Sequence, residues 1–192
     1  MLKFSYHALT PDVGLPGKDC RKETITVVFE RTMSTSDQDI TLDELLIVLR
    51  KALKELLADT PVMLAYLYGS TAEGRTTPFS DIDVGLLLDA SAFEKMQPYD
   101  CLMLETDLTQ KLEGRLKVFD LDVRVVNSAP LMLQGRMLKD GCLLYSADEN
   151  YRVGYESLTY KEYLDFLPIA KHFQDIYFEQ KLKELQILDN AE

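Results

Sequence analysis

The chain has 192 residues, with 21 Lys and Arg against 32 Asp and Glu, for a formal net charge of −11. That length suits one ordinary domain burying roughly two thirds of its extended surface, and the acidity argues against a broad phosphate-binding face for DNA or RNA, though not against one nucleotide in a small pocket. Cys20, Cys101 and Cys142 lack metal-binding spacing and read as reduced thiols; with no apolar run near the roughly 20 residues that span a bilayer, a soluble cytoplasmic protein without a membrane partner is expected.

Residues 1–40 read as an N-terminal extension, punctuated by Pro11, Gly14, Pro16 and Gly17, with one strand in TITVVFE at 24–30 and a polar loop in STSDQD at 34–39. From Thr41 the pattern changes. Leu42, Leu45, Leu46, Leu49, Leu53, Leu56 and Leu57 recur at helical spacing, and Thr41 and Glu44 have the separation of a capping box, so an amphipathic helix precedes Pro61. VMLAYLY at 62–68 is a buried strand that stops at Gly69 and Ser70, and IDVGLLL at 82–88 is a second. A helix from about Tyr99 to Leu116 leads to a third strand, VFDLDVRVV, at 118–126. APLMLQGRMLK at 129–139 predicts a helix ending near Gly141, followed by CLLYS as a strand or extended segment. Residues 41–148 thus form an α/β (α+β) core, a small mixed sheet flanked by helices. Residues 149–192 form a helical tail with two apolar series, one through Tyr160, Tyr163, Leu164, Leu167 and Ile169, the other through Phe173, Ile176, Tyr177 and Leu182. Pro168 between them predicts a kink or a new helix start. The stripe needs a cover, either its own core or another chain.

Chemistry concentrates in GSTAEGRTTPFSDIDVGLLLD at 69–89. Asp81 and Asp83 are two apart, so they share one strand face while Ile82, Val84 and Leu86 take the other. Asp120 and Asp122 repeat the spacing, opposite Phe119, Leu121, Val123 and Val125. If the two strands are neighbours, up to four carboxylates converge, an arrangement that is electrostatically expensive unless cations occupy it. Hard oxygen donors suit Mg²⁺; solvated acids on an exposed face are the competing reading. The turn supports the first, because Gly69 and Ser70 follow a buried strand and offer backbone N–H groups and a hydroxyl to phosphate oxygens, with Arg75 close by in sequence. The pattern is not a P-loop, since GxxxxGK[ST] is missing.

YGSTAEGRTTPFSDIDVGLLL resembles the glycine-serine, then serine-Asp-x-Asp signature of the nucleotidyltransferase superfamily that includes DNA polymerase beta. The chain looks most like its minimal nucleotidyltransferase (MNT) branch, and the resemblance runs over about residues 62–175. It implies the polymerase-beta-like nucleotidyltransferase fold, with Gly69 and Ser70 holding a nucleotide triphosphate and Arg75 as a further phosphate contact. It also implies Asp81, Asp83 and Asp122 as catalytic metal ligands for two Mg²⁺ ions. Asp120 is an extra acid outside that triad, and a shifted strand register would bring it to the metals instead of Asp122. Glu73 stands where the family often carries Arg, which puts nucleotide binding in question. Among acceptors, the resemblance favours the MntA-type antitoxins of two-gene systems, which transfer AMP from ATP to a tyrosine hydroxyl of a HEPN ribonuclease toxin. A catalytically weak toxin-binding or regulatory nucleotide-binding module and an enzyme acting on a small hydroxylated substrate are the alternatives. Partners would be the HEPN toxin, ATP or a second copy in a homodimer, without stable DNA or RNA binding.

Overall fold

The computed structural model describes residues 26–27, 40–75, 80–116 and 120–189. In chain order the elements are β1 (Thr26–Val27), β2 (Ile40–Thr41), α1 (Leu42–Leu56), β3 (Val62–Tyr68), α2 (Gly69–Ala72), β4 (Ile82–Leu88), α3 (Ala90–Phe93), α4 (Pro98–Leu116), β5 (Leu121–Val125), α5 (Leu131–Asp140), β6 (Cys142–Ser146) and α6 (Glu149–Asp189). β1 pairs with β2 in a two-residue ladder. The other residues of the expected 24–30 strand, and the polar loop at 34–39, lie outside the described residues.

The capping box forms as its spacing predicts. The Thr41 hydroxyl accepts from the Glu44 N–H at 3.3 Å, and the Glu44 carboxylate accepts from the Thr41 N–H at 2.9 Å. Two otherwise orphaned donors are satisfied, and α1 starts there. Its leucines, with Leu57 just beyond its end, pack on one sheet face.

The four-stranded sheet has the order β5-β4-β3-β6. β3 is antiparallel to β4 and β6, whereas β4 and β5 are parallel. A parallel pair needs a crossover, and α3 and α4 supply it. Alternation then separates two clusters. Ile82, Val84, Leu86, Leu121 and Val123 pack with α1 and with Leu108 and Leu112 of α4. On the other face Leu64, Tyr66 and Leu87 meet Met137 and Leu138 of α5, with Tyr151, Tyr155 and Tyr160 of α6 around them. Helices therefore cover both faces, a mixed α/β architecture.

β5 is an edge strand, and α4 blunts it. The Val125 N–H donates to the Glu105 carboxylate at 2.8 Å, and the Leu121 N–H donates to Glu113 at 3.5 Å. Carboxylates from one helix thus take up N–H groups that would otherwise invite strand addition. Cys101 on α4 is a free thiol, but Cys142 on β6 is disulfide-bonded, so the expectation of three reduced thiols is not met there.

The tail does not break at Pro168. α6 is a single helix of 41 residues with that proline inside it. Pro168 cannot donate to the Leu164 carbonyl; both residues are exposed, so water can satisfy that oxygen. Near its start α6 is tied to the core by a buried network. Tyr66 Oη donates to Glu156 Oε1 at 2.7 Å, and Arg152 Nη1 donates to Glu156 Oε2 at 2.8 Å. Burial, then the hydrogen bond to Glu156, holds the Tyr66 hydroxyl well above the usual phenol range. Tyr163 then seats against Gly135 of α5, where any β-carbon would overlap its ring. From Leu164 to Lys183 every residue except Ala170 is exposed.

Candidate active site

β3 delivers its last residue, Tyr68, opposite Asp83 of β4, and β4 in turn sets Asp83 opposite Asp122 of β5. One row across three strands thus carries Tyr68, Asp83 and Asp122. Asp83 and Asp122 share the sheet face opposite Ile82 and Val123, as the alternation predicts. Asp81 precedes β4, and its backbone carbonyl accepts a hydrogen bond from the Thr71 hydroxyl at 2.9 Å. Thr71 is 1% exposed, so that bond is sheltered, and it staples the turn to the entry of the acidic strand.

The turn itself lies against the acids. Gly69 has φ +75°, and a β-carbon there would collide with the Asp83 carboxylate. Only glycine accepts both the left-handed backbone and the close approach. The Ser70 carbonyl accepts from the Arg75 N–H at 2.9 Å, closing the turn. Arg75 also pairs with Glu73. The guanidinium expected at phosphate is therefore held by the acid two residues before it.

Burial, followed by the charges of Asp122 and Asp81, raises the Asp83 carboxyl above its ordinary range. Tyr68 is pushed up as well, first by burial and then by Asp83 and Asp122. Negative charge is thus crowded at the start of β4, an environment that favours a cation. Asp122 is relieved by a neighbour the sequence reading passed over. Arg124 Nε lies 2.8 Å from Asp122 Oδ1 and 3.1 Å from Oδ2. Arg124 Nη1 is 3.6 Å from Glu105 Oε2. The signal was available in DLDVRV, because Arg124 is two residues after Asp122 and so shares its face.

Asp120 behaves differently from its sequence twin. It precedes β5 with φ +75°, and its carbonyl accepts from the Ile82 N–H at 3.0 Å. The repeat of Asp81 and Asp83 is therefore not a second extended pair. Register places Asp122, not Asp120, beside Asp83. Phe119, expected to face the core, lies outside the described residues.

Among the described residues, no three His, Cys, Asp or Glu side chains are gathered closely enough to hold a metal. The donor chemistry still fits a hard cation, with carboxylate oxygens at the start of β4 and on β5 and a glycine leaving room beside Asp83.

Residues 51–150 match the model of the family described as Polymerase beta, Nucleotidyltransferase. The chain belongs to this nucleotidyltransferase family. The match takes in the glycine turn and both acidic strands, the elements that build the site. No curated protein matches the chain significantly. Among solved structures, a chain of a toxin-antitoxin crystal structure with AMP-PNP is 20% identical with a TM-score of 0.50, over 69% of this chain and 98% of that one. A chain of the tri-AMPylated Shewanella oneidensis HEPN toxin in complex with MNT antitoxin is 19% identical with a TM-score of 0.49, over 71% of this chain and 98% of that one. At 20% identity, the first likeness is one of fold alone. The polymerase-beta-like fold is thus supported by the family match and by the sheet order.

Proposed function

We propose that the chain is a Mg²⁺-dependent transferase that moves AMP from ATP to a tyrosine hydroxyl of a cognate HEPN ribonuclease toxin, and so acts as its antitoxin. The observation that carries the reading is the register of Asp83 with Asp122, with the Gly69 turn lying against Asp83. A phosphate-receiving turn and a cation-demanding acid pair then share one end of the sheet, in a family of nucleotidyltransferases. The protein acceptor is supported by the minimal-nucleotidyltransferase resemblance and by the fold shared with a toxin-antitoxin structure holding AMP-PNP.

Asp81, Asp83 and Asp122 would hold the ions, with Asp122 leaving Arg124 to do so. Bound there, Mg²⁺ would offset charge on the triphosphate and ease deprotonation of the incoming hydroxyl. The Gly69–Ser70 backbone and the Ser70 hydroxyl receive triphosphate oxygens. The tyrosine oxygen attacks the α-phosphorus, the bond to the bridging oxygen breaks, pyrophosphate leaves and the hydroxyl proton passes to solvent. No histidine is required by this route, and His172 is exposed on the tail. The uncovered apolar residues of α6 beyond Leu164 support a protein partner.

Incubation with labelled ATP, Mg²⁺ and the product of a neighbouring HEPN gene tests the reading. Label should appear on the toxin and vanish with Asp81→Asn plus Asp83→Asn. A stable complex that never acquires label would sink it and favour a second reading, a binding module with weakened nucleotide use. The pairing of Arg75 with Glu73 is the observation in favour of that alternative.

A further inference from the structure

Arg124 Nε lies 2.8 Å from Asp122 Oδ1 and donates to Oδ2 at 3.1 Å, so one N–H is shared by both carboxylate oxygens in a charge-assisted contact. On its other side the guanidinium is flanked by Glu105, 3.6 Å from Nη1, whose carboxylate is held by the Val125 N–H at 2.8 Å and is 15% exposed. The clasp is thus built from a strand and a helix, with Arg124 between two carboxylates of which one is fixed by backbone. Asp83, the acid across from Asp122, stays in the crowded negative environment described above. A free divalent cation arriving at Asp83 must displace the guanidinium before it can use Asp122. A cation arriving with a triphosphate brings phosphate oxygens, and these can accept the hydrogen bonds that Arg124 gives up. The exchange is then balanced, acceptor for acceptor.

We propose that Arg124 is a positioning residue that couples cation binding to nucleotide binding, holding Asp122 closed until metal and triphosphate arrive together. The inference rests on the nucleotidyltransferase reading of the acids.

The test uses the full chain and Mn²⁺, counted by electron paramagnetic resonance, with and without AMP-PNP. Wild type should bind Mn²⁺ weakly alone and more tightly with AMP-PNP. Arg124→Gln should bind Mn²⁺ alone about fivefold more tightly, the scale expected from opening an exposed ion pair. It should also lose much of the tightening by AMP-PNP, since coupling between two ligands is reciprocal. Arg124→Lys, which keeps the charge without the planar guanidinium, should fall between the two. Far-ultraviolet circular dichroism and melting confirm that each variant is folded. If Arg124→Gln leaves Mn²⁺ affinity and its coupling to AMP-PNP unchanged while wild type binds both, the proposal falls and the reading of the acids stands. If wild type binds neither Mn²⁺ nor AMP-PNP, both fall together.

Discussion

Gly69 lies so close to the Asp83 carboxylate that a β-carbon at position 69 would occupy the space of a carboxylate oxygen. The same glycine has φ +75°. Gly69→Ala should therefore act twice, costing about 1–2 kcal/mol for the left-handed backbone and displacing the acid. Nucleotide transfer should drop at least about tenfold, with a lower melting temperature. Wild-type transfer in a folded Gly69→Ala protein would show that the turn and the acid are independent.

Asp83 gives a pH dependence of stability. Its carboxyl is raised by burial and then by Asp122 and Asp81. A carboxyl raised on folding contributes stability that is fully present below its unfolded pKa and is lost as pH rises through the folded value. In the presence of chelator, Asp83→Asn should melt above wild type at neutral pH. The gap should close as pH falls towards about 4, the ordinary carboxylate value. A melting series from pH 4 to 8 checks this, and a variant less stable than wild type at pH 7 would contradict it.

The two acids of β5 and its entry should separate cleanly. Asp122→Asn should lower transfer by about tenfold or more, equivalent to about 1.4 kcal/mol in the barrier. Asp120→Asn should have a much smaller effect, and asparagine tolerates the positive φ found there. Equal rates for the Asp122 variant and wild type would remove that residue from the site.

Gly135 and Tyr163 form the closest seat between α5 and α6. Gly135→Ala should destabilise the fold by about 1–3 kcal/mol through overpacking. Shortening the ring with Tyr163→Leu in the same chain should recover part of the loss, giving a coupling energy in a double-mutant cycle. Additive effects in chemical denaturation would deny the contact.

The Tyr66–Glu156–Arg152 network makes an unequal pair of substitutions. Arg152→Met leaves the Glu156 carboxylate, 4% exposed, without its cation and should cost about 3 kcal/mol. Glu156→Gln should cost less, because a neutral amide can still accept from Tyr66. Urea titrations at neutral pH should rank them in that order.

The elements set by short-range physics were readable in the sequence. Leucine spacing with Thr41 and Glu44 defines α1, and the apolar runs define β3 and β4. Alternation also gave Asp83 and Asp122 a shared face on the condition that their strands are neighbours, and the register of β4 with β5 meets that condition. The relationships it missed depend on what surrounds each residue. Nothing local in SADENY to YKEY says that α6 continues through Pro168, since tolerance there comes from exposure of the Leu164 carbonyl's surroundings to water. Spacing alone likewise treated Asp120 as the twin of Asp81, whereas a left-handed backbone turns it out of the strand. Arg124 was visible but unread, because its meaning depends on Glu105 arriving from α4.

α6 is one element by hydrogen bonding, about 60 Å long at 1.5 Å per residue, but two by support. Up to Tyr163 it is held by Glu156, Thr159 and the seat at Gly135. Beyond Leu164, up to Lys183, every residue but Ala170 is exposed; backbone bonds sustain such a helix only marginally in water, and Pro168 removes one of them. Amide hydrogens on the two sides of Leu164 should therefore belong to different opening units. The inner ones exchange with the protection of the sheet, and the outer ones fray within a folded protein. Whatever molecule covers Phe173, Ile176 and Tyr177 acts on the outer unit, so its binding can slow exchange there while the β3 and β4 amides stay unaltered.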